Sequence, residues 1–185
     1  MKIKSKFRTV SLIALLGACN LAVGSANADI FGGGPPDSGR VADNSLHNYC
    51  FDGDYPSYWV NPLTSAMVNL DNQTVMTIGV QYACNTDADV RFIKYNDTSQ
   101  GAPLGLYTCI KFTIDGSRCA GSFVFLNEAK LASTTLRQKT ACHEVGHSVG
   151  LTHHYDGQYG GCMLSGYYYE HFYSSHHVAH INANY

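Results

Sequence analysis

Over most of the chain the apolar positions fall in short blocks separated by Gly, Asn and Asp clusters. From Thr74 to Ala83, Val75, Thr77, Gly79 and Gln81 alternate with Met76, Ile78, Val80 and Tyr82, the two-residue period of a strand. Val90–Tyr95, Tyr107–Ile114 and Ser122–Leu126 read as three further strands, with a loop from Asn96 to Gly105. Trp59, Leu63, Met67 and Leu70 stand at helical spacing and predict a helix over about Pro62–Leu70, with Trp59 and Met67 as core residues. A second helix is expected from near Leu136, because Thr135 and Gln138 have capping-box spacing. On it Ala141, Cys142, Val145 and Val149 lie opposite His143 and His147, so one face can enter a core while the other faces a cleft. Ser174 or Ser175 would cap a short last helix with Val178 and Ile181 turned inward. Together these elements predict one α+β domain: a small twisted sheet, a backing helix, a two-faced helix and an irregular end closed by a short helix.

The first residues have a different logic. Lys2, Lys4, Lys6 and Arg8 precede an apolar run from Val10 to Ala18, and Ala26-Asn27-Ala28 follows as a small-x-small site. That is the pattern of a secretory signal peptide over residues 1–28. Within it Leu16-Gly17-Ala18-Cys19 also resembles a bacterial lipobox, which would instead anchor the protein to the cell envelope through lipid on Cys19. Either route exports the chain. The Gly/Pro-rich residues that follow predict a flexible N-terminal arm over 29–45, ahead of a domain spanning 46–185.

Seven cysteines become an even set once Cys19 is set aside: Cys50, Cys84, Cys109, Cys119, Cys142 and Cys162. Six cysteines in an exported chain predict three disulfides, with about fifteen pairings open. Short spacing favours Cys109–Cys119, Cys142–Cys162 would tie together two segments near the histidines, and Cys50–Cys84 remains. No C-x-x-C spacing supports a thiolate metal site. Of the 12 Lys and Arg, four lie in the signal, whereas all 14 acidic residues follow it, so residues 29–185 carry a formal charge of −6. That balance, without a polybasic patch, argues against nucleic acid and anionic membranes as partners, and a monomer is expected.

Chemistry concentrates in His143-Glu144-Val145-Gly146-His147-Ser148-Val149-Gly150-Leu151-Thr152-His153. On a helix, His143 and His147 project from one face a turn apart, with Glu144 offset beside them. Gly150 can take a left-handed conformation, end the helix and return His153 toward the other two. Three imidazoles and one open position form the coordination set of a catalytic Zn2+, and Glu144 stands where a general base is needed.

The pattern H-E-x-x-H-x-x-G-x-x-H resembles that of the metzincin zinc endopeptidases, and Met163, within Gly160-Gly161-Cys162-Met163-Leu164-Ser165-Gly166, matches that family's methionine turn. The run from Cys142 onward is similar to small secreted bacterial proteases of the matrixin and snapalysin kind. The resemblance implies a mostly parallel sheet, one catalytic Zn2+ held by His143, His147 and His153, and a water activated by the zinc and by Glu144. It also implies Met163 as a hydrophobic base beneath the metal, a peptide or protein substrate, and Ser122–Asn127 as the edge strand that receives it. The tyrosines after Met163 would wall a specificity pocket, with Tyr167 beside Ser165, where some metzincins place an assisting tyrosine. His154 is an alternative third ligand, and Asp156 an acceptor that could orient a histidine.

The resulting expectation is a secreted zinc-dependent endopeptidase, with calcium left open. Its rivals are a non-catalytic zinc-stabilised binding module, which has no use for Glu144, and an exopeptidase, for which no group that would hold a free terminus is evident. His176 and His180 are four apart but lack an acidic partner, and read as surface or helix-terminal residues.

Overall fold

The computed structural model describes Phe31, residues 39–153 and residues 160–185. The signal segment, Cys19, His154 and Asp156 lie outside the described residues.

Five strands and three helices follow in the order β1 (Leu46–Phe51), α1 (Ser57–Gln73), β2 (Thr77–Val80), β3 (Val90–Tyr95), β4 (Gly105–Phe112), β5 (Cys119–Asn127), α2 (Thr134–Ser148) and α3 (Ser175–Asn184). They form an α+β domain whose sheet has the order β2-β1-β3-β5-β4. All pairings are parallel except β4 with β5, which is antiparallel. Parallel neighbours need crossovers, and α1 makes the one between β1 and β2. The core lies between the sheet and the α1–α2 pair, where Trp59, Leu63, Met67 and Leu70 meet Val90, Phe92, Val124 and Leu126. Among the described residues no helix is long and apolar enough to cross a membrane.

Helix α1 starts well before the expected Pro62. A proline interrupts a helix because it has no N–H for the carbonyl four residues back, here that of Tyr58. Arg137 fills the gap, its Nη1 donating to the Tyr58 oxygen at 3.3 Å while the guanidinium lies over the rings of Tyr58 and Trp59. The strand expected from Thr74 is shortened for a related reason. The Thr74 N–H and hydroxyl both donate to the Leu70 carbonyl and close α1, and the Val75 N–H turns to Asn182 Oδ1. Strand β1 was not evident in the sequence, yet it sits between β2 and β3. The edge strand is also corrected: Ser122–Asn127 belongs to β5, which is paired on both sides, and the open edge beside the cleft is β4.

The three disulfides are Cys50–Cys84, Cys109–Cys119 and Cys142–Cys162. The second staples β4 to β5. Of the stretch expected as an arm, residues 40–43 are bonded to the body: Arg40 N–H donates to the His147 carbonyl at 3.2 Å, and Ala42 N–H to the Tyr185 hydroxyl at 2.6 Å.

Candidate metal centre and cleft

Helix α2 is capped by Ser133, two residues before the expected Thr135; its Oγ accepts from the Leu136 N–H at 3.2 Å. Ala141, Cys142, Val145 and Val149 are fully buried against the core. The far end closes as a Schellman turn, with Leu151 N–H on the Gly146 carbonyl at 3.0 Å and Gly150 N–H on the His147 carbonyl at 3.1 Å. Gly150 has φ +101°, the left-handed conformation that the turn requires and that glycine adopts without strain.

That turn brings His153 back to the helix. His153 Nε2 stands 3.1 Å from His147 Nε2 and 3.1 Å from His143 Nε2. The other ring nitrogens show that hydrogen bonding alone does not account for this cluster. His143 Nδ1 is 2.9 Å from the Cys162 carbonyl and His147 Nδ1 is 2.7 Å from the Leu151 carbonyl. A carbonyl only accepts, so both Nδ1 atoms carry the proton and both Nε2 atoms present lone pairs. A neutral His153 can donate to at most one of them. Three convergent lone pairs instead suit a cation: about 2.0–2.1 Å bonds in a tetrahedron put ligand nitrogens about 3.3 Å apart. Burial and the neighbouring imidazoles push His143 well below the usual histidine range, and burial with His153 pushes His147 down to about 3, so both are neutral and fit to ligate.

The carbonyls that orient the imidazoles come from defined turns. Leu151 belongs to the turn that ends α2. Cys162 belongs to the methionine turn, held to the helix by its disulfide to Cys142, the residue before His143. Met163 is fully buried under the helix, and Gly146 is what admits it. A Cβ at 146 would overlap the Met163 sulfur and come within 3.2 Å of Tyr173 and 3.3 Å of Leu151. Tyr173 adds a tie from below, its hydroxyl donating to the Cys142 carbonyl at 3.0 Å.

A cleft of about 400 Å³ opens beside the histidines, between β4 and α2, and Glu144 lies on its wall. The Tyr107 backbone N–H of β4 acts on the Glu144 carboxyl in favour of its ionised form. Burial pushes its carboxyl up to about 8, against the opposing pull of Lys139 and of that N–H. Gly105 makes room for it, since a Cβ there would stand 2.7 Å from Glu144 Oε1 and 2.8 Å from the Thr140 methyl. Ser165 and Tyr167 reach the opposite rim, and Tyr167, Tyr168 and Tyr169 are exposed.

Sequence reading missed Gly105, Gly146 and above all Lys139. Lys139 lines the cleft, is only 2 % exposed, and donates from Nζ to the Leu164 carbonyl at 2.6 Å. The available signal was its place one helical turn before His143, on the same face. His176 and His180 meet edge to face at 4.5 Å between centroids on α3 and belong to no metal-type cluster among the described residues.

No protein-family model and no curated protein matches the chain. Among solved structures it is similar to high choriolytic enzyme 1, a hatching-enzyme zinc-protease from the medaka fish Oryzias latipes, at 15 % identity and a TM-score of 0.38. The alignment covers 63 % of this chain and 50 % of that one, so the chain spans about half the length of the protein it matches. The chemistry of the site, rather than this likeness, supports the functional reading.

Proposed function

We propose that the chain is an exported, metzincin-like zinc endopeptidase acting as a monomer on peptide or protein substrates, with His143, His147 and His153 as ligands and Glu144 as general base. The observation that carries this reading is the convergence of three Nε2 atoms at the head of a cleft whose wall holds the buried Glu144. A structural zinc site prefers four protein ligands and has no role for that acid.

A zinc ion bound there would polarise the scissile carbonyl and acidify a water. The chain's own groups supply the rest. His143 and His147 are held in the ligating tautomer by the Cys162 and Leu151 carbonyls. Glu144 takes the proton of the attacking water on a carboxylate oxygen and passes it to the departing amine nitrogen. The Tyr107 N–H of β4 favours the ionised form of that carboxyl. An extended substrate segment would lie along the open edge of β4, whose backbone groups can pair with it as an added strand. Met163 supplies an apolar floor and no bond to the metal.

The test compares wild type with Glu144→Ala for bound zinc and casein cleavage, with and without chelator. Retained zinc with lost cleavage supports the mechanism; cleavage equal to wild type overturns it. His153→Ala should lose zinc far more readily than His154→Ala, and the reverse order would reassign the third ligand.

A further inference from the structure

The cleft contains a cation that the peptidase reading does not use. Lys139 is as buried as a core residue, yet it is an ammonium with three N–H donors. Among the described residues it makes one hydrogen bond, to the Leu164 carbonyl, and no ion pair; the charges of Glu144 and Glu170 reach it only at longer range. Burial pushes it down to about 8, which leaves it mostly charged near neutral pH. A buried ammonium with unused donors is costly unless an anion completes its shell. Its surroundings say where the anion would come from: Lys139 lines the same cleft as His143, Glu144 and His153, with Thr140 beside it and Ser165 and Tyr167 across the opening.

We propose that Lys139 is the specificity-determining residue of this cleft and binds a carboxylate of the substrate close to the scissile bond. The inference rests on the peptidase reading and deepens it by naming the substrate class. A carboxylate entering the cleft gains a charge-assisted hydrogen bond in a site shielded from water, where such a bond is strongest. The amide isosteres of Asp and Glu fit the same space but leave the ammonium without its counter-charge. Two sources offer this chemistry: an Asp or Glu side chain within the substrate, or the carboxylate of its C-terminus. Only the second would make the enzyme an exopeptidase.

The experiment uses the zinc-loaded chain and internally quenched peptides carrying Glu, Gln, Leu or Lys at each position around the cleaved bond. Each peptide is made with a free and with an amidated C-terminus. The expected result is a preference in kcat/KM for Glu over Gln at one position of about tenfold or more, the value of one charged hydrogen bond. Lys139→Met should bring that ratio near one. If the preference instead follows the free C-terminus, Lys139 reads the terminus and the carboxylate inference still holds. If Lys139 is only a tie to the methionine turn, Lys139→Met lowers the melting temperature and leaves the Glu/Gln ratio unchanged, which overturns the proposal. Lys139→Gln serves if the Met variant does not fold, and wild type without acid preference is refuting by itself.

A second readout separates this inference from the peptidase reading. The rise in melting temperature of the zinc-loaded chain is measured with peptide hydroxamates carrying Glu or Gln. Discrimination there without cleavage of any peptide overturns the peptidase reading alone. Cleavage without discrimination in either assay overturns the carboxylate site alone.

Discussion

Gly146→Ala sets two physical effects against each other at one atom. Alanine is the better helix former by about 1 kcal/mol, so propensity alone predicts a more stable α2. Packing predicts the reverse. The added Cβ would overlap the sulfur of the fully buried Met163 and crowd Tyr173 and Leu151, 3.2 and 3.3 Å from the new methyl. Overpacking of this kind costs about 1–3 kcal/mol, and here it also presses on the helix end. The expected net loss is about 1–2 kcal/mol, a fall of about 2–8 °C in melting temperature for a chain of this size. The Gly146 carbonyl accepts from the Leu151 N–H, and the Leu151 carbonyl orients His147. A displaced turn should therefore weaken zinc binding by about tenfold, as loss of a ligand's hydrogen-bond partner does elsewhere. Calorimetry and titration against a chromophoric chelator measure both quantities. Met163→Ala in the Gly146→Ala background provides a check, because the double variant should cost at least about 1 kcal/mol less than the two single changes added together. A Gly146→Ala protein with equal or higher melting temperature and unchanged zinc affinity would refute the packing argument.

Gly105→Ala should leave zinc bound, since its Cβ meets Glu144 and Thr140 rather than a histidine, but lower kcat by about ten- to a hundredfold as the added methyl displaces the Glu144 carboxylate. Peptidase kinetics beside a zinc assay decide it, and an unchanged kcat would mean that the carboxylate acts from another position. Replacing Cys142 and Cys162 by Ala opens a loop of sequence separation 20, worth about 3 kcal/mol on loop entropy, and should also weaken zinc binding because the Cys162 carbonyl loses its tether. His47 donates from Nε2 to Ser148 Oγ at 2.8 Å, while its buried Nδ1 has no acceptor for a second proton. Burial accordingly pushes it from 6.5 down to about 4. Its contribution is fully present above about pH 6.5 and is lost as pH falls toward 4, by about 3 kcal/mol in all. His47→Gln should flatten that limb in urea titrations. Asp89, raised by burial to about 6, acts with the opposite sign, since its contribution is present below 3.8 and lost as pH rises through 6, so Asp89→Asn should steepen the same limb.

How far the sequence could be read depended on how locally each feature is specified. The zinc-type face of α2, the turn at Gly150 and the inward placement of Ile181 depend on helical geometry within about two turns, and they are visible as spacing. Strand β3 is found at its expected bounds, where a short run of β-branched and aromatic residues lies between polar clusters. By contrast, β1 takes its place through pairing with β2 and β3, about thirty to forty residues away along the chain. Helix α1 extends through Pro62 with its orphaned carbonyl taken by Arg137, 79 residues from Tyr58. Which strand borders the cleft is a matter of sheet order, which alternation within a strand does not encode.

The same division holds inside the site. The sequence by itself determined the three histidines, the glutamate beside the first and the methionine downstream, because ligand chemistry restricts residue type and a helix restricts spacing. Tertiary structure decided what surrounds them: the carbonyls of Leu151 and Cys162 behind the imidazoles, the two glycines that admit Met163 and Glu144, and the burial of Lys139. A lysine read in sequence is a solvated charge, and only the packing of β4 and the methionine turn against α2 removes its water and turns it toward the cleft.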